Sequence, residues 1–173
     1  MLLNSFDPSA SGQIICEISR QSQRIQADFE LREIQDLFLS RVNASAPLGS
    51  RIDELWRHTC FELFISSSGQ ESYLEINASP FGDWNAYLFD GYRKGMRTAP
   101  VGSVQIEPDA QLSAITLKAD LNAIPFLQKS EAWEIGIASV LRRRDPDRTE
   151  YWALAHPALQ PDFHARGAFL VHV

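Results

Sequence analysis

Several signals are scarce in this chain of 173 residues, and each scarcity closes off a class of protein. It has only two cysteines, Cys16 and Cys60, and they lack CxxC spacing, so neither a disulfide framework nor a zinc site is indicated. Its four histidines, His58, His156, His164 and His172, fall in no HxH or HxxxH pattern. Positive charge is outweighed: 16 Lys and Arg against 22 Asp and Glu give a net charge of −6, which argues against tracking nucleic-acid phosphates. No apolar run approaches the roughly 18 residues of a transmembrane helix. The opening MLLNSFDPSASG lacks the basic and apolar regions of a signal peptide, so the expectation is a cytoplasmic protein with free thiols. There is no internal repeat, no low-complexity tract and no long amphipathic helix.

What the chain does hold is alternation. Hydrophobic residues at 45% suit a globular protein with a sizeable core, and the length suggests one domain spanning 1–173. Period-2 runs occur at 14–19, 24–31, 60–65, 73–78, 84–89, 104–106, 112–119, 133–141 and 149–154, with a last short one at 169–173. Residues 32–38 read as a helical turn, 43–50 as a loop, 93–100 as a polar connection, and 120–128 as a short helical connection around Pro125. Nine or ten short strands separated by turn signals predict an all-β fold, an antiparallel two-sheet β-sandwich with short helical connections. Such a sandwich leaves open strand edges, so an edge-to-edge homodimer is an available association.

The densest patterning lies between Trp56 and Met96. Pairing Ile65 with Leu74 sets Leu63 against Ile76 and Phe61 against Ala78, which makes one face wholly apolar. The same pairing sets Glu62 against Asn77 and Phe64 against Glu75. A slip of one residue would force Glu75 and Asn77 into the apolar face, where burial is costly, so the register is well determined. Across the SPFGD turn, a pairing with Asn85 against Asn77 puts Tyr87 against Glu75, whereas a slip of one residue there would put Trp84 on that face instead. The second face therefore gathers Glu62, Tyr73, Glu75, Asn77, Asn85 and Tyr87. Two readings of that face stand side by side: an ordinary solvated sheet surface, or a site for a hydroxyl-rich ligand.

Other chemistry is less well supported. Cys60 beside His58 lacks the geometry and electropositive setting of an activated thiol, and reads as a small buried residue. Glu62 and Glu75 are diagonal neighbours at a spacing a retaining glycosidase would tolerate, but no gripping loops are evident. Arg142, Arg143, Arg144 and Arg148 form a basic turn in which Asp145, Asp147 and Glu150 interleave, so it reads as solvated and self-paired.

The order Trp56-Arg-His-Thr-Cys-Phe-Glu62, followed by Tyr73-x-Glu75-x-Asn77-x-Ser79-Pro80-x-Gly82-x-Trp84 and Asn85-Ala86-Tyr87-x-Phe89-x-x-Tyr92-Arg93-x-Gly95-Met96, resembles the DOMON-like superfamily. That group includes family 9 carbohydrate-binding modules and haem-binding domains, and the likeness is strongest to a bacterial MurB-like subgroup. It is specific over residues 56–96 and architectural elsewhere. The resemblance implies a sandwich whose concave face holds a sugar or a cofactor. It also implies a stacking Trp56 with Glu62 binding hydroxyls six positions on, and Trp152 as a second stacking residue. A haem-binding member would use Met96 with His58 as axial ligands. Thr59-Cys60 departs from the acidic dipeptide of the sugar-binding family, so the fold carries over better than the ligand.

Together these readings predict a non-catalytic module for a carbohydrate or other polyhydroxylated small molecule, with no cofactor. Trp56, Trp84 and Tyr87 are the expected platforms, with Trp152 beside them. Glu62, Glu75, Asn77 and Asn85 are the expected hydroxyl partners, and Arg93 is placed to receive an acidic substituent. A haem-binding electron-transfer domain and a protein-interaction scaffold are the alternatives.

Overall fold

The computed structural model describes residues 1–145 and 148–173. Among these, twelve strands follow one another: β1 (Leu2–Ser5), β2 (Gln13–Gln21), β3 (Arg24–Arg32), β4 (Cys60–Ser67), β5 (Tyr73–Ala78), β6 (Trp84–Phe89), β7 (Arg97–Thr98), β8 (Val104–Pro108), β9 (Ala114–Asp120), β10 (Trp133–Arg142), β11 (Thr149–Ala153) and β12 (Val171–His172). A single helical turn, α1 (Pro125–Gln128), and two 3-10 turns, Leu55–Arg57 and Arg166–Ala168, complete the regular structure. No helix of the described residues is long and apolar enough to cross a membrane.

All pairings are antiparallel, in the order β7-β6-β5-β4-β10-β11-β1-β2-β3-β9-β8, with β12 added to β10. The sheet is strongly curled, so its two halves face each other as a sandwich. β1 is the corner: Asn4 and Ser5 pair with β11, while Leu2 and Leu3 pair with β2. The sequence reading missed this strand, because four residues are too few to show a period.

Strand parity determines what fills the sandwich. From one half come Ile25, Ala27, Phe29 and Leu31 of β3 with Ile115 and Leu117 of β9. From the other come Phe61, Leu63 and Ile65 of β4, Leu74 and Ile76 of β5, and Trp133, Ile135 and Ile137 of β10. Phe29 meets Phe61 across the gap, with ring centroids 5.1 Å apart.

The register expected for β4, β5 and β6 is the one observed. Ile65 pairs with Leu74, Glu62 with Asn77, Asn77 with Asn85 and Glu75 with Tyr87. The second face of this half is nevertheless not a solvated surface. Every residue of β4, β5 and β6 is buried on both faces. A second apolar layer covers the outer face, in which Trp56, Phe163, Ala168 and Phe169 pack on Phe64, Tyr73, Tyr87 and Phe89.

Gly136 of β10 makes that layer possible. A Cβ there would lie 2.9 Å from Phe169 Cδ1 and 3.4 Å from Phe64 Cβ, so only glycine leaves room for the Phe169 ring. Gly136→Val is expected to cost about 1–3 kcal/mol through overpacking, read as a lower denaturation midpoint at unchanged slope. A variant as stable as the parent would show that Phe169 does not sit over Gly136.

Two expectations are corrected. Residues 33–38 are not helical, because Phe38 N–H donates to Arg142 O and Arg144 N–H donates to Asp36 O, engaging the backbone beside the end of β10. Leu37 forms an isolated bridge with Arg143. The basic turn is solvated only in part: Arg144 and Asp145 are exposed, but Arg143 and Glu150 are both buried and joined at 2.6 Å. Asp147 lies outside the described residues.

Candidate functional site

Three segments cover the outer face of β4–β6: the turn around Trp56, the loop 91–96 after β6, and the irregular stretch 155–168. Asp162 joins the last two. Its carboxylate accepts from Arg93 Nη2 at 2.9 Å and from the Tyr92 hydroxyl at 2.6 Å, and also takes the His164 backbone N–H at 3.2 Å. The cover is incomplete. Between it and the sheet lies an open cavity of about 710 Å³. Glu62 and Glu75 border it from the sheet, Arg93 and His164 from the cover, and Trp56, Phe89, Tyr151 and Phe163 add aromatic rings.

Hydrogen bonds sort the polar residues into those already satisfied and those left over. Asn77 Nδ2 donates to Glu75 Oε1 at 2.7 Å, and the Cys60 thiol points to Asn77 Oδ1 at 3.8 Å. Asn85 Nδ2 donates to Asp53 Oδ1 at 2.6 Å and to the Tyr87 hydroxyl at 2.8 Å. Tyr87 in turn donates to Asp53 Oδ1 at 3.0 Å. The Tyr73 hydroxyl accepts the Arg93 backbone N–H at 3.2 Å and lies 2.7 Å from His164 Nδ1. Because Tyr73 already accepts from Arg93, it is left to donate to Nδ1, which assigns the His164 proton to Nε2. That Nε2 lies 3.9 Å from Glu75 Oε2, too far for a direct bond. Glu62 is the exception to this satisfaction. Its side chain is buried, and Oε1 has no hydrogen-bond partner.

Burial sets the protonation states. Desolvation, then the charge of Glu75, holds Glu62 well above the usual carboxylate range. Desolvation also raises Glu75 to about 7, against the opposing pull of the Asn77 amide and the Arg93 charge. The two acids titrate as a unit, and near neutral pH the pair retains protons. His164 is pushed down to about 4, first by burial and then by Arg93, with Asp162 opposing, so it is neutral at pH 7. Cys60, fully buried, is raised by desolvation and the neighbouring carboxyls, which makes it an inert thiol rather than a nucleophile.

The expected site residues divide into three groups. Trp56, Glu62, Glu75 and Arg93 border the cavity. Asn77, Asn85 and Tyr87 stand on the same face but serve one another, Glu75 and Asp53. Tyr87 supports Trp56 edge-on, with ring centroids 5.5 Å apart. Trp84 and Trp152 are corrected: both lie in the inter-sheet core, on the opposite side of the sheet from the cavity. Trp84 pairs with Ala78 and packs under the Arg51 guanidinium at 4.3 Å, and Trp152 donates to buried Glu150 at 3.2 Å. Their parity, shared with Leu88 and Glu150, excludes them as ligand platforms.

Phe89 and Tyr151 were missed although strand parity could have found them. Phe89 continues the Asn85–Tyr87 face, and Tyr151 is offset by one from inward-facing Trp152. Phe163 and His164 carry no such signal, because 155–168 has no periodicity. Met96 borders the cavity but His58 does not, and His164 is engaged by Tyr73, so the residues present do not fit a haem held between Met96 and His58.

Neither a family model nor a curated protein matches this chain. Among solved structures, a candidate carbohydrate-binding protein from Bacteroides uniformis is similar to it, with a TM-score of 0.67 at 14% identity, covering 93% of this chain and 78% of that one. A likeness at that identity is a likeness of fold. It bears out the all-β sandwich architecture and stops short of the DOMON-like superfamily.

Proposed function

We propose that this protein binds a small polyhydroxylated or carbohydrate-like ligand in the cavity over β4–β6, without transforming it. The observation that carries this reading is a cavity of about 710 Å³ that combines aromatic rings with two buried carboxyls, one of them having an oxygen without a partner. That volume falls within the usual range for small-molecule sites. Rings stack on the C–H faces of a sugar, and carboxyl oxygens exchange hydrogen bonds with its hydroxyls. The carbohydrate-binding description of the structural neighbour points the same way. The burial of Tyr73, Tyr87 and Phe89 removes the flat exposed aromatic patch that a docking scaffold would present on this face.

Thermal-shift and calorimetric titration across monosaccharides, oligosaccharides, sugar nucleotides and haem tests the proposal. At least one sugar class is expected to raise the melting temperature. Trp56→Ala is expected to weaken that binding about tenfold, the scale of one lost stacking contact, and to lower the unliganded melting temperature moderately, because Trp56 is half-buried against Tyr87. Haem binding alone, or turnover of a bound glycoside, would overturn the proposal.

A further inference from the structure

We propose that the ligand carries an amino group, and that the Glu62–Glu75 pair at the back of the cavity receives it as an ammonium ion. This rests on the binding reading above and narrows it to one chemical class, an amino sugar or a compound of similar size and charge.

The two acids lack a cationic partner. Among the described residues, no lysine or arginine forms an ion pair with either carboxylate, and Glu75 Oε2 has His164 Nε2 at 3.9 Å. Glu75 Oε1 is engaged by Asn77, while Glu62 Oε1 is buried with nothing donating to it. An acceptor buried without a donor is a costly feature unless a ligand completes it.

A neutral hydroxyl offers Glu62 one donor and leaves the two acids opposing each other. An ammonium offers three donors and a charge, so it satisfies the open oxygen and offsets the repulsion that keeps the two acids from ionising together. Trp56, Phe89 and Phe163 border the same cavity, and a cation seated over the face of any of these rings is favoured further.

The surrounding charges are compatible with this. Glu62 has Cys60 on its own strand and Glu75 on β5, and Arg142 borders the cavity from β10. Glu75 is faced by Arg93 and His164 of the covering segments. Arg93 already pairs with Asp162, and Arg57 of the turn pairs with Glu54 at 3.0 Å, so these two cations are balanced by acids and partly exposed to screening solvent. His164 is neutral at pH 7. Behind the wall, Asp53 is held by Asn85 and Tyr87.

Proton release provides the test. The unliganded pair retains protons near neutrality, and an ammonium favours its ionised form, so binding at pH 6.5 should expel about one proton per ligand. Calorimetry of the full chain in two buffers of different ionisation enthalpy reads that release directly. The probes are glucosamine and galactosamine, each against glucose or galactose and the corresponding N-acetyl sugar, which is similar in shape but uncharged.

One of the amines is expected to bind about tenfold or more tighter than its neutral counterparts, the scale of a single charge-assisted hydrogen bond, with proton release. Glu75→Gln is expected to abolish both the preference and the release. Glu62→Gln gives the same readout if the first variant folds poorly, and the wild-type proton count needs neither. Neutral sugars binding as tightly as the amines, or amine binding without proton release, would overturn the inference and leave the cavity's binding role standing. Absence of binding by either class would remove that role and this inference with it.

Discussion

Glu150→Ala is expected to destabilise the protein by about 3–5 kcal/mol, the range found when one partner of a buried ion pair is removed. Glu150 lies on β11, buried at the end of the sandwich, and its Oε2 accepts from Arg143 Nη2 at 2.6 Å and from the Trp152 indole N–H at 3.2 Å. Arg148 approaches Oε1 to 2.9 Å as an ion pair rather than an aligned hydrogen bond. Without Glu150, Arg143 keeps its hydrogen bond to Gln35 O, but its charge stays buried with no paired acid among the described residues, and the indole loses its acceptor. Arg148 is partly exposed and turns to water at little cost.

A second variant separates the pair's own contribution from the penalty of breaking it. Combining Glu150→Leu with Arg143→Met removes both buried charges and fills the space with apolar atoms, so it should recover a large part of the loss. Urea or thermal unfolding of the single and double variants measures both quantities. A single variant within 1 kcal/mol of wild type would show that Arg143 escapes to solvent, and the buried cluster would then not hold the segment 33–38 against β10.

The same cluster shows how far a sequence reading reaches. Alternation in Thr149–Leu154 predicted the strand, and interleaved signs predicted the pairing. Nothing local indicated that Arg143 and Glu150 would be buried, because that depends on a segment more than a hundred residues away, whose Gln35 carbonyl receives Arg143. For β4–β6 the reading went further. One apolar face was enough to establish the register, and so the company of Glu62, Glu75, Asn77, Asn85 and Tyr87. Carried through consistently, that register also puts Trp84 opposite Ala78, inside the sandwich. Trp84 could be a platform only with β6 slipped by one residue, and the observed pairing excludes the slip.

What the sequence could not show is the cover. Residues 155–168 have no period, yet Phe163 and His164 convert an ordinary sheet surface into the wall of a cavity. Once covered, the face changes its electrostatics. Carboxyls that water would have kept ionised become a pair that holds its protons.

That change predicts an unusual pH dependence of stability. A carboxyl whose pKa is raised on folding contributes stability at low pH and loses it as pH rises through the interval between its unfolded and folded values. For Glu75 the interval runs from the ordinary 4.5 to about 7, and the expected loss across it is about 3 kcal/mol. Glu62 acts in the same direction. His164, depressed from 6.5 to about 4, acts oppositely: its neutral native form is disfavoured as pH falls through that range. In the wild-type profile the histidine masks part of the effect of the acids, so a single curve would look shallow.

The difference between wild type and Glu75→Gln removes this masking and cancels the groups that do not interact with Glu75, while Glu62, raised in part by the Glu75 charge, adds to it in the same direction. The glutamine variant is expected to be about 3 kcal/mol better off relative to wild type at pH 8 than at pH 4.5, with the change centred between pH 5 and 7. Chemical denaturation at four or five pH values is sufficient to trace it. A flat difference profile would mean that Glu75 titrates as it does in the unfolded chain, which requires water to reach it freely. In that case the covering segments would not seal the back of the cavity, and Glu75 would be hydrated and ionised at neutral pH, with no proton for a bound ammonium to displace.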